Sequence, residues 1–325
     1  MTAQSPRPRF ASGLIFALLA ASSFSLSGPF VTPMLAAGWS PAAGTLIRVG
    51  GAAVILAIPG ALSMRGHWVA LWRNRGTIIV FGVFGVFAAQ VCYYSAIQHV
   101  SVGVALLVEY LAPVFLVLFA WVRTRRHPGW FTIVGAVVAL TGLVLVLNLA
   151  GASAPSAIGV IWSLLASFGA CIYYVIGARK HDDLPPIALA ASGMVVASVA
   201  LLGCGLVGLF PLRANFGSVE LLGASVSWVV PALVILGMST VAAYLFGLAG
   251  TARLGTRVAS FVGLTEVLFA VLFAWLLLGQ LPAPIQFAGG VLVIAGVVLV
   301  QAQRERMSAA PAIAVAEAEL SDVSR

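Results

Sequence analysis

The length of its apolar runs constrains this chain more than any other feature. Along its 325 residues, ten stretches of roughly 20 predominantly apolar residues follow one another, each bounded by charge, Pro or Gly. They fall at roughly 10–35, 41–62, 77–98, 101–122, 129–148, 156–178, 186–208, 228–250, 256–279 and 284–301. A helix of about 20 residues matches the thickness of the bilayer's hydrocarbon. Inside lipid every backbone polar group needs an internal partner, which makes the helix the default. The sequence therefore predicts an all-α integral membrane protein with ten transmembrane helices. Composition agrees, since 62% of the residues are hydrophobic and 8% charged, against about 25% charged in a soluble domain. As a monomer in water such a chain would not stay dissolved.

The formal net charge is +8, which in a soluble protein would suggest nucleic-acid binding. Here the cations sit in short loops between apolar runs, so they report topology, and no nucleic-acid partner is expected. With the N-terminus in the cytoplasm and the runs alternating sides, the cytoplasmic segments hold Arg7, Arg9, Arg65, Arg73, Arg75, Arg123, Arg125, Arg126, Arg179, Lys180, Arg253, Arg257, Arg304, Arg306 and Arg325. The opposite loops hold Arg213 alone, and Arg48 lies within the second run. Cationic loops stay inside, so the expectation is a multi-pass protein of the cell inner membrane with both termini cytoplasmic. The run that begins at Phe10 is too long for a signal-peptide core and reads as an uncleaved first span. The polar tail 304–325 is expected to be cytoplasmic and disordered. Cys92, Cys171 and Cys204 each lie in an apolar run, which points to buried thiols rather than a disulfide framework.

The two halves resemble one another. A shift of 154 residues places Phe119-Ala120-Trp121 on Phe273-Ala274-Trp275, Gly135 on Gly289, Gly142 on Gly296, and Val144-Leu145 on Val298-Leu299. Nearer the start, a shift of 146 places Gly13 on Gly159 and Leu18-Leu19-Ala20 on Leu164-Leu165-Ala166. This divides the chain into a first five-helix repeat, 1–150, and a second, 151–303. Five is odd, so the second repeat enters the membrane with the opposite orientation. Two inverted five-helix repeats are a transporter architecture, with the solute site near the midplane between them.

Several motifs resemble a known family. The run Tyr93-Tyr94-Ser95-Ala96-Ile97, followed by Ser101, Val104-Ala105 and Pro113 in the fourth span, resembles the EamA-type drug/metabolite transporter superfamily. The segment Leu107-Val108-Glu109-Tyr110-Leu111-Ala112-Pro113 looks like the fourth-span pattern of its threonine/homoserine exporter branch, and Arg48 matches an arginine common in the family's second span. The resemblance covers residues 10–301 and implies ten spans and metabolite transport. One departure is visible: the family's ninth span usually reads Glu-Pro, and here it reads Glu266-Val267. The counterpart of Pro113 is absent, so the sequence gives no ground for expecting both halves to kink alike.

Three charges lie inside predicted spans: Arg48, Glu109 and Glu266. A charge near the bilayer centre costs about 2.5–3.5 kcal/mol on insertion scales, so each should face the protein interior. Arg48 and Glu109 begin roughly seven and eight residues from the same membrane face, which at about 1.5 Å per residue places both about 10–12 Å deep. They are positioned to pair. One reading is a salt bridge that holds two helices together. The other has Arg48 binding a solute carboxylate while Glu109 binds an amino group or a proton. Glu266 lies close to the midplane, where low dielectric favours a carboxyl that holds its proton. That suits proton coupling, or alternatively a packing hydrogen bond. Gln90 and Tyr244 are related by the 154 shift, Gln90 and Tyr94 share a helix face at i, i+4, and Tyr173 and Tyr174 sit in the sixth span. Such residues, with Ser23 and Ser27 in the first span, either line a wet cavity or join helices. Gly135 and Ala139 predict close helix approach in the fifth span. Trp39, Trp68, Trp72 and Trp130 fall near span ends, as interfacial anchors do.

There is no G-x-x-x-x-G-K-[ST] loop to couple ATP. His67, His99, His127 and His181 are scattered, without the spacing a metal needs. No cofactor is expected. The sequence thus predicts a secondary transporter exporting a small amino-acid-like metabolite with protons as the coupling ion. Its partners are the solute and the lipid bilayer. The alternative, a membrane enzyme acting on a lipid-linked substrate, would be expected to cluster His, Asp or Glu at one interface. A channel would need a continuous polar stripe, which no span shows.

Overall fold

In a computed structural model the chain is described over residues 7–66, 68–125, 129–147, 155–177 and 184–300. The tail assigned above to 304–325 lies outside them. The described chain is nearly all helical. In order come α1 (Arg7–Ser25), α2 (Ser27–Ala36), α3 (Pro41–Ser63), α4 (Trp68–Arg73), α5 (Arg75–Val80), a π-helical segment (Phe81–Ala88), α6 (Ala89–Ala96), α7 (Val102–Glu109) and α8 (Ala112–Thr124). Then follow α9 (Trp130–Leu147), α10 (Ala157–Gly177), α11 (Pro186–Leu206), strands β1 (Ser218–Leu221) and β2 (Ala224–Ser227), α12 (Val229–Leu233), a second π-helical segment (Val234–Ala242), α13 (Ala243–Gly263) and α14 (Thr265–Leu278). Last is α15 (Pro284–Val300). Seven helical runs are long and apolar enough to cross a membrane, and three further apolar helices, Trp130–Val146, Thr265–Leu278 and Pro284–Val300, are shorter.

Contacts group the chain into two units, each drawing on both sequence halves. One holds Met1–Glu109 with Ser153–Pro282, the other Tyr110–Ala152 with Ala283–Arg325. Within the first, α1 packs along α13 and α14, α10 along the first π segment, α6 and α7, and α3 along α11. The 146 and 154 shifts carry α1 onto α10, the first π segment onto the second, and α7 onto the C-terminal part of α13. The contact of α10 with the first π segment is therefore the counterpart of that of α1 with the second. Two glycines show the same exchange at atomic scale. A methyl group on Gly13 would lie 2.9 Å from Arg253 Cβ, and one on Gly159 would lie 2.9 Å from His99 Cβ. His99 and Arg253 are themselves 154 residues apart. In the second unit α9 and α15 meet through Gly135 against the Gly296 carbonyl and Gly142 against the Gly289 carbonyl, where added methyl groups would lie 2.7 and 2.6 Å away. Ala139 lines the same seam, as its spacing from Gly135 predicts. Contacts that are their own exchange are what a two-repeat chain with an internal two-fold relation produces.

Outward faces are apolar. Val54 and Ile58 on α3, Val199 on α11 and Leu276 on α14 are all exposed, which suits a lipid solvent. Trp68, Trp72 and Trp130 are exposed as well, whereas Trp39 is buried. It anchors no interface. Its ring packs against Phe216 and Trp228, with centroids 5.7 and 5.4 Å apart, and its Nε1 donates to the Asn215 carbonyl at 2.7 Å.

Three features depart from the sequence reading. The connection 207–228 contains the antiparallel β1–β2 hairpin, closed by Leu222 and Gly223 at positive φ, 55° and 76°. That is the sense a two-residue hairpin turn requires, but Leu-Gly is a weak signal for it. The loop expected between the eighth and ninth spans, near 251–255, is helical and part of α13. Finally, the first, fourth and ninth runs are interrupted, at Leu26, Tyr110–Leu111 and Leu264.

Candidate functional site

Arg48 is placed by α3. The helix begins at Pro41, whose fixed φ suits its first turn, and Ser40 caps it by accepting from the Ala43 amide at 3.1 Å. Two turns on, the half-buried Arg48 donates from Nη1 to Ser27 Oγ at 2.6 Å and to Gln90 Oε1 at 2.9 Å. Ser27 Oγ also bonds the Tyr94 hydroxyl at 2.7 Å. Two interrupted or irregular stretches supply the partners of Arg48. Ser27 is the first residue of α2, directly after the break at Leu26. Gln90 and Tyr94 sit one turn apart on α6, directly after the first π segment. π segments in helices often lie at functional positions.

The remaining candidates gather around this frame. Tyr94, Tyr244 and Glu266 lie within electrostatic reach of Arg48, and Glu109 lies within reach of both Glu266 and Arg48. Tyr173 hydrogen-bonds Tyr244, and Tyr174 feels both carboxylates. Aromatic contacts join the set: Phe24 on Tyr244 at 5.3 Å edge-on, Phe81 stacked on Tyr173 at 5.3 Å, and Tyr173 on Tyr174 at 5.7 Å. The structure thus brings together all eight residues singled out in the sequence: Arg48, Gln90, Tyr94, Glu109, Tyr173, Tyr174, Tyr244 and Glu266. They come from α3, α6, α7, α10, α13 and α14, three elements from each half. Most are half-buried rather than sealed, so they keep surface that a solute can meet.

The expected Arg48–Glu109 pairing is replaced by something different. Among the described contacts the guanidinium is held by three neutral groups, the Ser27 and Tyr94 hydroxyls and the Gln90 amide oxygen, and Glu109 acts on it from farther away. Depth along two helices says nothing of the direction each side chain takes around its helix. Glu109 ends α7, and its backbone carbonyl, freed by the break that follows, accepts from Ser167 Oγ at 3.1 Å. Glu266 lies in the first turn of α14, where the helix's positive pole favours negative charge. The sequence reading named Ser27 only as a residue that lines a cavity or joins helices, and it left two neighbours out of the site: Phe24 and Tyr93, the last within reach of Arg48 and both carboxylates. Ser27 carried a weak signal, its i, i+4 spacing from Ser23 in a run that also holds Ser22 and Ser25. Phe24 and Tyr93 carried none. Among the described residues no three His, Cys, Asp or Glu side chains gather as a metal site would require.

One family profile matches most of the chain, described as the EamA-like transporter family, over residues 11–148 and again over 157–302. A protein of Streptantibioticus cattleyicolor named as a probable terminal-alkyne amino-acid exporter is 32% identical over 268 residues, 81% of this chain and 84% of its own. The pseudopaline exporter CntI of Pseudomonas aeruginosa is 24% identical over 87% of this chain and 93% of its own. The uncharacterized transporter YdfC of Bacillus subtilis is 26% identical over 69% and 71%. A crystal structure at 20% identity superimposes with a TM-score of 0.55, covering 93% of this chain and 99% of the other, and shows a shared fold.

Proposed function

Because the chain belongs to the EamA-like transporter family, and is a multi-pass membrane transporter rather than an enzyme, we propose that it exports a small amino-acid-like metabolite across the inner membrane by proton-coupled alternating access. The observation that carries this reading is the state of Arg48. A guanidinium neutralised by a carboxylate in direct contact would be a structural pair. Here neutral groups hold it in place, and its positive charge is left for an anion. The bonds to Ser27 and Gln90 both leave from Nη1, and a carboxylate needs a two-pronged edge, which Nε and Nη2 can offer. Glu109 and Glu266 then supply negative charge for an ammonium group or a proton. One cation facing two carboxylates suits a zwitterion that exchanges with a proton. A relative named for amino-acid export supports the same solute class.

For topology we keep ten spans, with repeats 1–150 and 151–303 inverted and both termini cytoplasmic. The positive-inside asymmetry and the ten apolar helical runs support this arrangement. In this reading protons are the coupling ion, and neither ATP nor nucleic acid is a partner. A reporter fused after Arg325 should be active only in the cytoplasm; activity in the periplasm would overturn the orientation. Function is tested by proteoliposomes loaded with amino acids, with and without a pH gradient. Solute movement that responds to the gradient and is lost in Arg48→Gln is expected. Movement that ignores the gradient would remove proton coupling.

A further inference from the structure

We infer that Ser27 is a positioning residue for the solute carboxylate: with Gln90 and Tyr94 it fixes the Arg48 guanidinium so that its Nε–Nη2 edge is presented to the solute. This rests on the reading of Arg48 given above and assigns a role to a residue outside the eight. Both protons of Nη1 are used, one on Ser27 Oγ at 2.6 Å and one on Gln90 Oε1 at 2.9 Å. With Nη1 tied at two points on different helices, rotation about the last side-chain bonds is stopped. The plane of the fork is thereby set before a solute arrives. Arg donates in a planar fork whose fit to a carboxylate depends on orientation, so a fixed plane lowers the ordering cost of binding.

Ser27 is in turn fixed. It is buried, and its Oγ bonds the Tyr94 hydroxyl at 2.7 Å, where Tyr94 itself is fully buried. A hydroxyl has one proton and two lone pairs, so Ser27 Oγ can accept from Arg48 and still exchange a bond with Tyr94. Gln90 must turn its oxygen, not its amide nitrogen, to the guanidinium, because two donors facing each other would repel. Hence the frame consists of three neutral groups from α2 and α6 around one cation on α3. Neutral partners orient a charge without cancelling it, and a charge reserved for a ligand needs that combination. A purely structural arginine would gain more from a carboxylate, and two are within electrostatic reach.

The test uses the full chain in proteoliposomes loaded with a mixture of the twenty 14C-labelled amino acids. Those that wild type exports are then compared with their amides, which lack the carboxylate. A hydrogen bond to a charged group corresponds to roughly tenfold or more in affinity. Ser27→Ala is therefore expected to raise KM for the acid about tenfold, to leave Vmax within about twofold, and to leave KM for the amide unchanged. Tyr94→Phe, which removes only the second hydroxyl, should shift KM for the acid in the same direction by less. If Ser27→Ala alters acid and amide alike, or alters neither, Ser27 is not a positioning residue. The reading of Arg48 would still stand in that case, provided Arg48→Gln abolishes the preference for acid over amide. A wild type that exports none of the twenty, or that treats acid and amide alike, overturns both.

Discussion

Residues 75–124 and 229–278 are the same stretch in the two repeats, 154 residues apart, and they agree in backbone irregularities that their side chains do not announce. Both open with a short α-helix that passes into a π-helical segment, Phe81–Ala88 and Val234–Ala242. Each segment passes into an α-helix whose second residue belongs to the site, Gln90 in one and Tyr244 in the other. Both are interrupted at equivalent points, Tyr110–Leu111 and Leu264. They differ where polar side chains differ. In the first copy the chain turns between Ile97 and Ser101, and Ser101 Oγ receives the Val104 amide at 3.4 Å. In the second copy Gly255 stands in place of Ser101, offers no side-chain cap, and the helix runs on to Gly263. The carboxylates differ as well: Glu109 is the last residue of α7, Glu266 the second of α14. The π segments and the breaks at Tyr110–Leu111 and Leu264 are thus shared by the repeats, while the turn at 97–101 is not and charge is distributed unequally between them. A transporter built this way can keep two-fold mechanics around a site that is chemically one-sided.

The largest expected effect tests that one-sidedness. Arg48→Ala should bring transport to background. Its coupling to each neighbour can be measured by double-mutant cycles. Strong coupling is expected with Gln90→Ala, which shares a direct hydrogen bond. Weaker coupling is expected with Glu109→Ala and Glu266→Ala, which act through space. Strong, equal coupling to Glu109 would mean that the two charges meet directly during transport, and the neutral frame would then describe only one state of the cycle.

An intermediate effect separates the carboxylates. Gln keeps the shape and hydrogen bonding of Glu, so Glu109→Gln and Glu266→Gln should both fold. If Glu266 carries the coupling proton, the pH dependence of transport flattens in Glu266→Gln; an unchanged profile leaves it as a packing residue. Stability should divide the pair too. Glu266 loses a favourable helix-pole interaction worth about 0.3–1 kcal/mol, while Glu109, at the negative pole of α7, loses none. Thermal unfolding in detergent that destabilises Glu109→Gln more than Glu266→Gln would break this assignment.

Much of this was legible in the sequence, because a few physical quantities dominate it. Run length against bilayer thickness gave the apolar helices, and the cost of intramembrane charge picked out Arg48, Glu109 and Glu266. The 154 shift also paired Gln90 with Tyr244. What escaped was set by directions and long-range contacts. Phe-Gly-Val-Phe-Gly-Val-Phe-Ala is apolar throughout, and nothing in its pattern separates a π from an α segment. The partners of Arg48 depend on its direction around α3, which depth does not fix. Trp39 reads as a membrane anchor until Phe216 and Trp228, 177 and 189 residues away, cover it.

The smallest expected effect concerns Pro113, the one residue of the fourth span that reads as a helix breaker. A proline at position 113 has no amide proton for the carbonyl of Glu109 four residues earlier, which taken alone would explain the break. The second copy argues otherwise. There Val267 stands at the corresponding position with its amide intact, and the helix still breaks. Its N–H turns to the Leu264 carbonyl at 3.3 Å, three residues back, while Thr265 Oγ1 donates to the Val262 carbonyl at 2.6 Å. Hydroxyls satisfy carbonyls at both breaks, from Thr265 in one copy and Ser167 in the other, so neither needs a proline. Pro113 also occupies the first turn of α8, where a missing amide proton costs little. Pro113→Ala should therefore change stability by no more than about 0.5 kcal/mol, the range of substitutions that disturb no special feature. Transport should stay within about twofold of wild type. If the proline does hold the break open, alanine would let α7 and α8 join into one helix. That would turn Glu109 away from Arg48, and transport would fall by far more than stability.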